Sequence, residues 1–231
     1  MNSHRYQRLS EVLSRRQPDL TVVMDNVHKP HNLAAIARTC DAVGILEAHA
    51  ISSSSAIRLS QKAAGGCKQW VTIKTHKSIP DAYAHLRQHG FQIYAAHFDQ
   101  QALDFRRIDY TKSTAIVVGA ELDGISPTAV NSCDSTIIIP MVGLVQSLNV
   151  SVATALILFE AQHQRQAAGM YAVSRLDRQT YDRLLFEWLH PKIAAHCQKH
   201  RLSYPQINEN GDIIEPLADR RETSGWQIIK G

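Results

Sequence analysis

The sequence predicts an α/β fold, a doubly wound parallel sheet with helices on both faces. Runs of apolar, β-branched residues at 20–27, 115–119 and 136–140 have the near-continuous hydrophobicity of strands buried on both sides. Segments of helical period alternate with them, and glycine or proline marks many of the junctions.

Element by element, residues 4–16 read as a helix with Tyr6, Leu9 and Leu13 along one face. Residues 20–27 form a strand that Pro30 breaks. The helix 32–43 follows, with Asn32 as its N-cap and Gly44 as its stop. A short strand (47–52), a serine loop (52–55), a helix (56–64) ending at Gly65 and Gly66, and a strand (70–75) come next. Pro80 opens a helix reaching His89, closed by Gly90, and 91–98 is a strand. The buried strand 115–119, a short helix at 127–132, the buried strand 136–140 and a long helix at 146–166 complete the core. Residues 150–162 are apolar nearly all round, which calls for cover on more than one side, as in a central helix or a dimer interface. Beyond Gly169 the chain is more polar, with Pro191, Pro205 and Pro216. The expected organisation is therefore a basic N-terminal helical extension (1–19), a core (20–166), and a C-terminal helical extension with a tail (167–231).

Composition narrows the function classes. With 44% hydrophobic and 20% charged residues in 231, general disorder and a disulfide scaffold are excluded. No apolar run approaches the roughly 18 residues of a spanning helix, and the polar, basic N-terminus has no signal-peptide core, so the expected location is the cytoplasm. Cys40, Cys67, Cys133 and Cys197 have no metal-site spacing and read as reduced and structural. The net charge of +4 is unevenly spread. Residues 49–80 contain no acid but carry Arg58, Lys62, Lys68, Lys74 and Lys77, and the first sixteen residues set Arg5, Arg8, Arg15 and Arg16 against Glu11 alone. Two basic surfaces point to a polyanionic partner, nucleic acid first.

The dinucleotide fingerprint GxGxxG, the phosphate loop GxxxxGK[ST], HExxH and GxSxG are all absent, which disfavours a nicotinamide oxidoreductase. His28 with His31 and His196 with His200 have ligand-like spacing, but nothing completes either set, so no metal is expected. Three segments place polar residues after strands, where α/β sheets build their sites. KPHNLAAIART (29–39) offers Asn32 and Arg38. IVVGAELDGIS (116–126) offers Gly119, Glu121, Gly124 and Ser126, with glycines that allow close backbone approach to a ligand. IIIPMVGLVQSLNVSVATA (137–155) offers Gln146, Ser147, Asn149 and Ser151 at the start of an apolar helix. Capping explains one of those four, not all.

These segments, as N-x5-R, G-x-E-x-x-G-[IL]-S and P-x-x-G-x3-S-L-N-V-S in this order, resemble the SPOUT family of RNA methyltransferases. The likeness is strongest to its branch of ribose 2′-O-methyltransferases, and no key position departs from the pattern. The resemblance implies a SPOUT-type parallel sheet whose C-terminal part is tied in a deep trefoil knot, and a homodimer with the 147–163 helix at its interface. It implies S-adenosylmethionine as co-substrate, held by loops around Ala96, Gly119, Ile139 and Leu148. The implied reaction is 2′-O-methylation of the guanosine-18 ribose in the tRNA D-loop. Arg38 would be catalytic and Glu121 would orient it, while Asn32, Ser147 and Asn149 hold ribose, phosphate and cofactor loops. A guanidinium is a permanent donor with a pKa above about 12, so phosphate binding or alkoxide stabilisation suits Arg38 better than general base. A 23S rRNA methyltransferase of the same family and a catalytically silent RNA-binding protein are the alternatives.

Overall fold

The computed structural model describes residues 3–52, 69–120 and 123–214. They fall into two compact units: Ser14–Leu176, and residues 3–13 with 177–214. The larger unit holds seven strands: β1 (Leu20–Asp25), β2 (Glu47–Ile51), β3 (Thr72–His76), β4 (Gln92–Ala96), β5 (Leu103–Asp104), β6 (Thr114–Gly119) and β7 (Ser135–Ile138). Their order across the sheet is β3-β2-β1-β6-β4-β7-β5. Every pairing is parallel. All strands therefore end on one edge, and the segments leaving β4, β6 and β7 gather there.

The helices are α1 (Ser3–Ser14), α2 (Pro30–Ala42), α3 (Ile79–Gln88), α4 (Pro127–Ser132), α5 (Val150–Ala167), α6 (Arg178–Leu189) and α7 (Pro191–His200). Strand side chains alternate between two apolar layers. On one face Val22, Met24 and Ile116 pack with Leu33 and Ile36 of α2 and Ile157 and Leu158 of α5. On the other, Val23, Ile93 and Val117 pack with Tyr83 and Leu86 of α3 and Ala129 of α4. Fully burying each large aliphatic side chain contributes about 1.5–3 kcal/mol. The C-terminal half of α5 is fixed by a buried arginine. Arg165 donates to the Tyr110 carbonyl at 2.8 Å, Asp19 Oδ1 at 2.6 Å, Gln17 Oε1 at 3.0 Å, and the carbonyls of Asp19 and Lys112 at 3.0 Å each. All five guanidinium donors are thereby used.

In the smaller unit α1 buries Leu9 and Leu13. Tyr181 of α6 donates to the Ser10 carbonyl at 3.2 Å, and Phe186 stacks on Tyr204 with ring centroids 4.7 Å apart.

The structure departs from the sequence expectations in definite places. Helix α2 starts at Pro30, not Asn32, because proline supplies the helical φ of a first turn and needs no N–H partner there. Asn32 lies inside the helix, 2% exposed, and does not cap it. Helix α5 starts at Val150, and residues 146–148 are not helical. The two-residue β5 is too short to leave a sequence pattern. The expected helix at 56–64, with Arg58, Lys62, Cys67 and Lys68, lies outside the described residues. Arg16, expected on a basic surface, is 1% exposed and bonds Asp41 Oδ1 at 2.5 Å and the Ile45 carbonyl at 3.1 Å. No disulfide joins Cys40, Cys133 and Cys197.

Candidate active site

At the carboxyl ends of β4, β6 and β7 lies a cavity of about 380 Å³, within the range of small-molecule sites. One wall is Ala96, His97 and Phe98, just past β4. A second is Gly119, Ala120 and Asp123 with Gly124, past β6. Ile139 and Met141 past β7 and Gln146, Ser147 and Leu148 before α5 complete it, with Val150 and Ile157 of α5 beneath. The lining is mostly aliphatic, with one described carboxylate, Asp123.

The β6 wall is built on backbone contacts. Ala120 and Gly124 exchange two backbone hydrogen bonds, of 3.0 and 2.9 Å. A Cβ on Gly119 would lie 2.1 Å from the Gly124 carbonyl carbon and 2.3 Å from Ile125 N, so only glycine fits. Gly124 has φ +66°, the left-handed region that favours glycine. Ser126 accepts from Ala129 N through its hydroxyl, the cap of α4. The Ser126 N–H donates in turn to Asp25 Oδ2 at 2.8 Å. Asp25, 1% exposed at the end of β1, also accepts from Asn26 Nδ2 through Oδ1 at 2.9 Å.

The α5 wall rests on Asn149. Its Oδ1 accepts from Ser151 N at 2.9 Å and Ser151 Oγ at 2.6 Å, capping α5, and its Nδ2 donates to Asn32 Oδ1 at 3.3 Å. Residues 117 positions apart are thus joined where α2 and α5 pack together.

The structure brings many of the expected residues together. Ala96, Gly119, Ile139 and Leu148 all line the one cavity, as does Ser147. Asn32 and Asn149 bond each other beside it. Arg38 does not line the cavity: it is exposed on α2, with no ion pair to another described residue. Glu121 lies outside the described residues. Sequence reasoning missed His97, Phe98, Asp123 and Met141, which the rule that sites follow strand ends could have found. It also missed Asp25, whose role depends on a contact 101 residues away. Lys74, expected on an RNA-facing basic surface, has its Nζ 3.1 Å from His85 Nε2.

Residues 19–159 match the SpoU rRNA Methylase family, and 163–216 match the C-terminal SpoU rRNA methylase family. The chain is 53% identical over 215 residues to the tRNA (guanosine(18)-2'-O)-methyltransferase of Escherichia coli K12, covering 92% of this chain and 94% of that protein. The crystal structure of the A. aeolicus TrmH/SpoU tRNA modifying enzyme superposes with TM-score 0.76 at 42% identity, covering 80% of this chain and 94% of that one. An AdoMet-bound rRNA methyltransferase from Sinorhizobium meliloti superposes with TM-score 0.58 at 27% identity, covering 66% of this chain and 59% of that one. With the family match spanning more than half of its length and the parallel sheet ending in this cavity, the chain belongs to the SpoU rRNA methylase family.

Proposed function

We propose that this protein transfers a methyl group from S-adenosylmethionine to the ribose 2′-OH of guanosine-18 in the tRNA D-loop. The observation that carries the reading is the convergence of three separate loops, each ending a parallel strand or opening α5, on one cavity. Its volume suits a nucleoside-sized ligand, and the glycine-only approach of Gly119 to Gly124 leaves backbone, not side chain, facing it. The choice of tRNA over 23S rRNA rests on the E. coli relative, matched over 94% of its length.

Bound there, S-adenosylmethionine supplies an electrophilic methyl group. The chain's own residues do the rest. The loops past β4, β6 and β7 hold the donor, and Asn32 and Asn149 fix the start of α5 against α2. The 2′-oxygen would form a bond to the methyl carbon as the methyl–sulfur bond breaks, leaving S-adenosylhomocysteine, and the hydroxyl proton would pass to water. Arg38, a permanent cation on α2, binds the adjacent phosphate or stabilises the developing alkoxide, with Glu121 orienting it. Positioning of this kind supplies several kcal/mol of the barrier.

The working form is a homodimer, with sites shared between subunits. Val152, Leu156 and Phe159 support this: they form a helical stripe on α5, 43–52% exposed, and Val142, Leu144 and Val145 in the preceding loop are exposed as well. The segment from β7 to α5 is knotted. In support, β7 sits out of sequence order between β4 and β5, and the knot is what the family resemblance implies. Residues 20–166 are the catalytic core, with 1–19 and 167–231 as extensions, and the N-terminal helix and the basic stretch 56–77 contact tRNA phosphates. The protein acts in the cytoplasm. No helix among the described residues is long and apolar enough to cross a membrane.

The test is incubation with methyl-labelled S-adenosylmethionine and two unmodified transcripts, a tRNA and a 23S rRNA fragment, followed by mapping of the labelled ribose. Label is expected at the D-loop guanosine. Arg38→Ala is expected to lower turnover at least 100-fold, about 2.7 kcal/mol of barrier, with S-adenosylmethionine affinity unchanged. Label on rRNA alone would overturn the substrate, and no label on either would overturn the activity.

A further inference from the structure

On the sheet face opposite α2 and α5, four histidines gather from three elements. His49 is on β2, His76 on β3, and His85 lies on α3 with His89 just past its end. The His49 ring centroid lies 5.1 Å from that of His76 and 5.6 Å from that of His85, and His85 stands 4.4 Å from His89. None of them lines the cofactor cavity. His49 is 3% exposed, an unusual place for an imidazole in a sheet.

From this geometry we propose that Glu47, His49 and His85 form a binding site for a divalent ion of the zinc class, distinct from the methyl-transfer site. The three side chains each offer a ligand atom, and these atoms lie within 4.8 Å of one another. Ligands held about 2.0–2.2 Å from a tetrahedral zinc stand about 3.4 Å apart, so closure needs only side-chain adjustments. Glu47 Oε1 is already 3.8 Å from His49 Nε2. The other nitrogen of His49, Nδ1, is 2.9 Å from His76 Nε2. With Nδ1 donating to His76, the Nε2 of His49 is the unprotonated nitrogen facing Glu47. A ligating histidine is commonly oriented by such a second partner.

Two imidazoles and one carboxylate select zinc, cobalt or nickel over magnesium and calcium, which prefer oxygen ligands. Three protein ligands leave a fourth position for water. Lys74 Nζ sits 3.1 Å from His85 Nε2, a cation beside the site that the ion must displace. The spacing pairs visible in the sequence have no such third partner. His196 and His200 lie with ring centroids 4.3 Å apart, but Glu47, His49 and His85 are the one three-ligand group among the described residues. Sequence spacing cannot show this set, because its members come from β2 and α3.

The test is calorimetric titration of the full-length, metal-stripped protein with Zn²⁺, with Co²⁺ absorption as a check on coordination and Tm as a third readout. One equivalent is expected to bind and to raise Tm, because an ion that binds only the folded state stabilises it. His85→Ala and Glu47→Gln, both at partly exposed positions, should lose that equivalent while keeping the wild-type circular dichroism and methyl-transfer rate. His76→Ala should weaken binding about 10-fold or more through loss of the orienting bond. Lys74→Met should tighten it. No Zn²⁺ binding by the wild type, or an equivalent that survives in both His85→Ala and Glu47→Gln, would overturn the site.

Discussion

Two walls of the same cavity are built in opposite ways. The loop past β6 is held by the chain itself. Ala120 and Gly124 bond each other twice, Gly119 packs directly on the Gly124 backbone, and Asp25 holds the Ser126 N–H from the end of β1. The loop between β7 and α5 has little of this. No backbone–backbone hydrogen bond joins residues 140–148 to other described residues, and Val142 and Leu144 are fully exposed. Gly143 shows the contrast best: a Cβ there meets nothing within 4 Å, whereas one on Gly119 meets backbone at 2.1 Å. The first wall is preformed. The second has its polar and apolar groups in place but needs a ligand or a second copy to give them partners.

The contrast breaks most sharply at Gly119. Gly119→Ala forces the β6 loop apart, an overpacking cost of about 3 kcal/mol or more. Thermal unfolding should show a clear fall in Tm, and titration should show S-adenosylmethionine affinity lost by at least 100-fold. Next in size is Asp25→Ala, which leaves the Ser126 N–H without its acceptor at a cost of about 1–3 kcal/mol. A raised KM for S-adenosylmethionine, with a smaller change in kcat, is expected, because Asp25 positions the loop and touches no reacting atom.

Asn149 separates capping from positioning. Asn149→Ala removes the α5 cap, about 1 kcal/mol by denaturant unfolding. Asn149→Asp keeps an acceptor for Ser151 N but loses the donor to Asn32, so it should keep most of the stability and still lose activity. The smallest effect falls on Gly143→Ala, expected to change stability by less than about 0.5 kcal/mol. A drop in S-adenosylmethionine binding in that variant, with Tm unchanged, would show that the second wall closes on the ligand.

Much of the fold is legible because its strands are buried on both sides. The six residues of β1 and the first five of β6 are all buried, and such runs stand out in any sequence. The all-round apolar character of residues 150–162 likewise marked α5 correctly. Helix starts were less legible: Asn32 has the chemistry of a cap, and only the structure shows that Pro30 begins the helix and Asn149 takes up its amide. The polar group 146–151 was visible as too rich for capping alone, because four polar residues before so apolar a helix need partners. Asp25 and the histidines around His49 were not legible. Each is an ordinary residue in its own segment, and its partners arrive from elements dozens of residues away. Arg16 was misread for the same reason, since its partners, Asp41 in the last turn of α2 and Ile45 just past it, lie 25 and 29 residues along the chain.

Backbone amide hydrogen exchange, with and without S-adenosylmethionine, tests the two-wall account most directly. Gly124 and Ser126 are predicted to be protected in the free protein and little changed by the ligand, while amides at 143–148 exchange freely until S-adenosylmethionine is added and then become protected. Equal protection of both segments in the free protein, or no response of residues 143–148 to the ligand, would contradict it.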